Sequence, residues 1–297
     1  MTTNSFGEKI FEPSEVLHDP NVSGTVTSML YPVLGHLGLS SKETENVTRR
    51  SLMHAYHESI DNYEKHAHAV LEEVGVTRLI PKKLEDRAKK IISQISPHLV
   101  KGTVLDFGCG DGRVGELLRQ QGYKVNLTDV YQNPHIKDTG LDFQLFQQGE
   151  DIPFGDNQFD NTLALTVYHH CNDPMKGISE CARVTRPSGK VLVIESVFGV
   201  NGVGLDKDSQ ILNKDYLSLT PEQQRRVNIF FDHFYNRVVH YDSDPTKKVN
   251  VPFNFNTPEN WKNLFEEYKM SQERVIHLGV DQPVVPEYHT LHVLQVK

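Results

Sequence analysis

The chain of 297 residues carries 31 Lys and Arg against 39 Asp and Glu, a formal charge of −8, and its basic pairs, such as Arg49-Arg50 and Lys82-Lys83, stand scattered among acids. Nonspecific binding to nucleic acid rests on neutralising phosphates, so this balance argues against DNA as a partner. Cys109, Cys171 and Cys181 form no C-x-x-C pair, and no apolar run reaches the length of a membrane span, so a disulfide framework, a zinc knuckle and a membrane partner are disfavoured and a soluble, cytoplasmic protein is expected.

Residues 1–39 carry mixed signals, with one short helix expected over 28–37. Ser40-x-x-Glu43 is a capping box, and it opens a long amphipathic helix with Val47, Leu52, Tyr56, Ile60, Tyr63, Val70 and Leu71 at three- and four-residue spacings. Pro81 and Lys82 open a second helix through Leu84, Ala88, Ile91 and Ile95. Together, residues 1–98 are predicted to form a helical N-terminal cap.

From Val104 the pattern changes. Val104-Leu105-Asp106-Phe107 reads as a buried strand ending in an acid, and Gly108, Gly110 and Gly112 follow at alternate positions before the helical pattern Val114, Leu117, Leu118. Strand, glycine loop and helix make a nucleotide-binding turn, in which the missing side chains let the backbone approach a ligand closely. A dinucleotide fingerprint needs G-x-G-x-x-G, whereas this loop reads D-x-G-x-G-x-G and adds Asp111 where a pyrophosphate would arrive. A phosphate ligand is therefore disfavoured.

That loop resembles motif I of the class I S-adenosylmethionine-dependent methyltransferases, whose cofactor carries a sulfonium and an ammonium. Further matches follow in the family's order as far as Glu195. Lys124-Val125-Asn126-Leu127-Thr128-Asp129 is a strand ending in an acid about 20 residues beyond the loop, where a carboxylate can accept both hydroxyls of a ribose. Gln148-Gly149-Glu150-Asp151-Ile152-Pro153-Phe154 resembles the family's acid-x-x-x-Leu-Pro-Phe signature, with Gln148 where Asp is usual; an amide oxygen can still accept from the adenine amine. Leu163 to His170, with Asp173-Pro174 opening a helix over 175–185, resembles the strand and loop beneath the methyl group, and Lys190 to Glu195 the fifth strand.

The resemblance implies a Rossmann-like α/β fold: seven strands, mostly parallel, with helices on both faces, a helical N-terminal cap and a helical insertion after the fifth strand. It implies S-adenosyl-L-methionine as cofactor, held by Asp106, Gly108, Cys109, Gly110, Gly112, Asp129, Gln148, Gly149, Glu150 and Thr166. The core is expected over 99–198, a helical lid over 199–256 and completion of the core over 257–297. Within the lid, Thr220-Pro221-Glu222-Gln223 opens a helix bearing Val227, Phe230, Phe231, Phe234 and Tyr235, a stripe that reads chiefly as core. Thr257-Pro258-Glu259 opens another helix, and two closing strands follow over 274–280 and 289–296, the last antiparallel.

Ligands of open parallel sheets bind beyond the carboxyl ends of the strands, which nominates His169-His170, Glu195-Ser196 and the loop 281–289 as the acceptor's surroundings. Methyl transfer from sulfur needs alignment and a dry site, plus a base only when the acceptor must lose a proton. His170, His289 and His233 are the candidate bases; His169 ranks lower, because on an alternating strand one of the two neighbours points away. No compact ligand spacing supports a metal, although Asp281, His289 and His233 could join in one. The expected reaction is methylation of a small molecule, aromatic or planar metabolites among the candidates, at O, N or C, as in ubiquinone and menaquinone biosynthesis. An RNA methyltransferase and a non-methylating S-adenosylmethionine-binding protein of the same fold are the alternatives. No oligomeric state is assigned.

Overall fold

The computed structural model describes residues 11–244, 247–280 and 286–297. In chain order the elements are α1 (Pro13–Leu17), α2 (Pro20–His36), α3 (Ser41–His57), α4 (Ile60–Glu73), α5 (Val76–Ile95), β1 (Thr103–Phe107), α6 (Arg113–Gln120), β2 (Lys124–Asp129), α7 (Ile136–Thr139), β3 (Asp142–Leu145), β4 (Phe159–Leu165), α8 (Pro174–Val184), β5 (Thr185–Ser196), α9 (Lys207–Leu212), α10 (Lys214–Leu217), α11 (Pro221–His233), α12 (Pro258–Glu267), β6 (Met270–Gly279) and β7 (His289–Val296). They fall into two compact units. One comprises 1–84, 197–253 and 279–288, the other 85–196, 254–278 and 289–297.

The second unit holds a seven-stranded sheet in the order β3-β2-β1-β4-β5-β7-β6. β3, β2, β1, β4 and β5 run parallel to their neighbours, and β7 pairs antiparallel with β5. β1 and β4 are almost continuously buried, polar Asp106, Asn161 and Thr162 included, because helices cover both faces of a parallel sheet. Val104, Leu127, Leu163, Leu192 and Leu291, one from each of five strands, are fully buried in a single cluster with Ile91, Ile95 and Leu118 from the helices. The parallel register, Phe107 beside Thr128 and Ala164, and Leu165 beside Ile194, aligns the carboxyl ends of four strands on one rim. There the chain must leave the sheet, and there the polar residues gather.

The first unit is helical. The Ser40 and Thr220 capping boxes form as the sequence predicts, each hydroxyl accepting from the third residue of its helix and each Glu or Gln returning to the cap. The long helix expected from Ser41 is in fact two, because Glu58 and Ser59 take extended backbone between α3 and α4. α2 starts at Pro20 with Asp19 as its cap, earlier than the short helix expected there, and α5 starts at Val76, five residues before the proline expected to open it. α11 continues as a π-helical turn, Phe234–Val239. Phe230, Phe231 and Phe234 are buried as core, and a small apolar cavity of about 20 Å³ among Leu34, Leu71, Ile80 and Phe231 has room for about one water.

Candidate active site

The rim of the sheet begins with β1, which carries Asp106 inward. Asp106 is 2% exposed, its Oδ2 has no hydrogen-bond partner, and burial first, then the charges of Asp129 and Asp111, push its carboxyl up to about 7. The loop that follows is forced by glycine. At Gly108 φ is +70°, and a Cβ would stand 2.6 Å from the Val167 side chain; at Gly110 φ is +55° and a Cβ would meet nothing, so the space beside it is open. Thr128 at the end of β2 accepts from the backbone N–H groups of both Gly108 (2.9 Å) and Cys109 (3.2 Å), which pins the loop to the neighbouring strand.

Asp129 ends β2 and folds back toward the loop. Its Oδ2 accepts from Gly110 N at 2.9 Å and its Oδ1 from Val130 N at 2.7 Å. Burial raises its pKa against those bonds, which favour the anion. Tyr131 N makes a third, longer bond to Oδ1 at 3.4 Å, so of a carboxylate's roughly four acceptor sites the open one lies on Oδ2. Asp111 behaves otherwise: Arg113 Nε donates to it at 2.9 Å. Asp106, which has no cation opposite it among the described residues, and not Asp111, is therefore the acid that disfavours a pyrophosphate. An orphaned carboxyl oxygen beside two more carboxylates fits a cationic cofactor and repels a phosphate.

Gln148 and Glu150 lie exposed on the turn after β3, which closes through Glu150 N to Gln147 O at 3.1 Å, with Gly149 at φ +90°. Gln148 Nε2 donates to the His170 carbonyl at 3.4 Å, which turns the amide oxygen to the accepting role expected of it. Arg183 of α8 braces the segment beyond, donating to the Phe154 and Ile152 carbonyls and to Glu180. Thr166, just past β4, takes φ +61°, an uncommon value for a β-branched residue. Its hydroxyl donates to Leu165 O at 2.6 Å and accepts from Arg87 Nη2 at 3.1 Å.

The two histidines require a correction. Residues 168–170 form a 3₁₀ turn and not a strand, so the alternation that ranked His169 low does not apply. His169 is the histidine the fold grips. The buried Glu195 accepts from Val167 N (3.0 Å), Tyr168 N (2.6 Å) and His169 Nδ1 (2.5 Å), and Phe255 stacks on the ring. With Nδ1–H donating, Nε2 becomes the basic nitrogen of that ring. His170 is half-buried, its ring 4.1 Å from that of His169. His289 is buried at the start of β7, opposite Ser196 in the antiparallel register, so it reaches the same rim. Asp281 lies outside the described residues.

His233 belongs to the helical unit. It is sandwiched between Phe11 at 4.3 Å and Tyr63 at 5.8 Å, and its Nε2 donates to Glu64 at 3.1 Å. Arg237 and Lys248 also converge on Glu64, at 3.0 and 2.5 Å; against desolvation, which would raise it, the bonds from His233 and Lys248 and the Arg237 charge hold its carboxyl down at about 2. Burial lowers the His233 pKa.

One residue of the rim escaped the sequence, and another was named without its role. Arg87 is on a helix before the first strand, where no motif points. Glu195 is an acid at the carboxyl end of a strand, as Asp129 is, and that signal named it only as part of the rim.

Residues 105–193 match the methyltransferase-domain family model. Curated relatives include a malonyl-[acyl-carrier protein] O-methyltransferase of Buchnera aphidicola, 37% identical over 93 residues (30% of this chain, 38% of that protein). A ubiquinone biosynthesis O-methyltransferase of Pseudomonas paraeruginosa is 32% identical over 102 residues (31% and 43%). The chain thus spans less than half the length of these relatives. A solved S-adenosylmethionine-dependent methyltransferase of Thermotoga maritima, described as a possible histamine N-methyltransferase, shares the fold with a TM-score of 0.50 at 14% identity, over 77% of this chain and 97% of that one. With the strand order, the glycine loop and its acids in place, these matches identify residues 105–193 as a methyltransferase domain of the class I S-adenosylmethionine-dependent type.

Proposed function

We propose that the chain methylates a small molecule, with oxygen the first candidate among O, N and C acceptors because the relatives named above act as O-methyltransferases. The observation that carries the reading is the uncompensated acid at the foot of the glycine loop, Asp106 with Asp129 and Asp111 around it. Bound S-adenosylmethionine supplies an electrophilic methyl on a cationic sulfur. Asp106 and the loop Gly108 to Gly112 balance that positive charge, Asp129 accepts from the ribose hydroxyls, and Gln148 accepts from the adenine amine. Glu195 and His169 hold the turn under the methyl group, so that His170 on the same turn receives the proton an acceptor hydroxyl must lose. His289 lines the same rim, whereas His233, 1% exposed and bonded to Glu64, is a buried structural group and not the base. The unbridged Cys109, Cys171 and Cys181 favour a reducing, cytoplasmic setting.

The test is release of S-adenosylhomocysteine from S-adenosylmethionine, measured across phenols, carboxylic acids, amines and a bulk tRNA control. Acceptor-dependent release with a small molecule supports the proposal. Release only with tRNA would replace the acceptor class, and cofactor binding without release for any acceptor would favour a non-methylating protein.

A further inference from the structure

The corner between α3 and α4 gathers three metal-ligating side chains. His54 lies in the last turn of α3, Glu58 is the residue at which α3 ends, and His66 lies on α4. Glu58 reaches both imidazoles at once: Oε1 is 3.0 Å from His54 Nδ1 and Oε2 is 2.8 Å from His66 Nδ1. The two rings stand 5.4 Å apart, and one ligand atom from each residue lies within 4.8 Å of the others. All three side chains are partly exposed, at 18%, 25% and 44%, so an ion has a path in and a solvent molecule can join it.

We propose that His54, Glu58 and His66 form a site for a divalent transition metal of zinc type, separate from the methyl-transfer site. Two imidazoles and one carboxylate are a borderline donor set, matched to zinc rather than to calcium or magnesium, which take oxygen ligands. Zinc bonds of about 2.0–2.2 Å in a tetrahedron put ligand atoms roughly 3.4 Å apart. The present N···O separations of 3.0 and 2.8 Å are shorter than that by roughly half an ångström, so an ion enters by side-chain rotation that spreads the ligands slightly. The imidazoles bind as neutral rings, each moving its proton to Nε2, and water completes the fourth position. The spacing His54-x3-Glu58-x7-His66 spans a helix break that periodicity does not show, which is why the sequence offered no metal motif.

The test uses the full chain freed of metal by chelation and titrated with zinc chloride, followed by calorimetry and thermal unfolding, and with cobalt(II) as a visible-spectrum reporter of tetrahedral geometry. The expected result is one zinc per chain, a rise in Tm on adding zinc, and tetrahedral cobalt absorption. The double variant His54→Gln/His66→Gln should lose all three signals. Glu58→Gln should weaken binding by more than the roughly 10- to 100-fold that loss of an outer-sphere partner costs. Far-UV circular dichroism of each variant reports whether it is folded, and the cobalt spectrum of the wild type reads the site without any variant. Zinc binding that the double variant retains would overturn the proposal, as would a wild type whose Tm and cobalt spectrum do not respond.

Discussion

A carboxyl group held near pH 7 by burial and by like charges is a poor anion until a cation arrives. Asp106 is that group, pushed up from its ordinary 3.8 to about 7. A folded pKa above the unfolded one means that the folded chain binds more protons between those values, so without cofactor it loses stability as pH rises through about 7. A bound cation needs the ionised form. Cofactor affinity should therefore fall by about tenfold for each pH unit below about 7, measured by calorimetry between pH 5.5 and 7.5, and Asp106→Asn should flatten that slope. Glu195 acts through the turn it holds. Glu195→Gln presents an amide N–H to His169 Nδ1 and disturbs the ring's proton, so kcat should drop about a hundredfold with a shifted pH profile while cofactor affinity stays within about twofold. An equal loss of affinity would show that Glu195 merely supports the fold. At this scale the sequence exposed Asp106 through the glycine loop that follows its strand, and Asp129 as the acid ending the next strand about 20 residues on. It did not expose Arg87, whose link to Thr166 crosses 79 positions of chain.

Elements were legible where local chemistry fixes them and illegible where it does not. β2 was read residue for residue because polar and glycine-rich segments bound it on either side. The break between α3 and α4 was missed because the apolar spacing runs on across Glu58 and Ser59. The 3₁₀ turn at 168–170 was read as strand because its apolar lead-in continues that of β4, whereas Glu195, far along the chain, captures its N–H groups. Pro187-Ser188-Gly189 was read as a turn before the fifth strand. It lies inside β5 as an irregularity in the pairing with β4, with Ser188 at φ +65°. Gly108→Ala puts a methyl within 2.6 Å of Val167 at a left-handed φ, so it should cost about 1–3 kcal/mol of stability, read from a urea midpoint, and abolish cofactor binding. Thr220→Ala removes the cap of α11 and should cost about 1 kcal/mol by the same measurement, with no effect on cofactor affinity.

For the molecule as a whole, the sheet-bearing unit announced itself through ordered motifs, while the helical unit offered only periodicity and caps. Its buried ionic cluster was invisible, since Glu64, His233, Arg237 and Lys248 come from segments about 170 residues apart. The cluster makes an acid-stability prediction. Glu64 titrates at about 2 in the fold against an ordinary 4.5, so its contribution is full above about pH 4.5 and is lost as pH falls toward 2. Circular dichroism should show helical signal lost in that window. Glu64→Ala leaves the cations and His233 uncompensated and should cost about 3–5 kcal/mol at neutral pH.

Whether the carboxylates beside the glycine loop bind S-adenosylmethionine is decided by calorimetric titration of the wild type and of Asp129→Ala with that cofactor. The expected result is one cofactor per chain and, since hydrogen bonds to a charged group contribute about 1.5–3 kcal/mol, a loss of roughly 10- to 100-fold in the variant. Absence of binding to the wild type, or unchanged affinity in a folded Asp129→Ala variant, would contradict it.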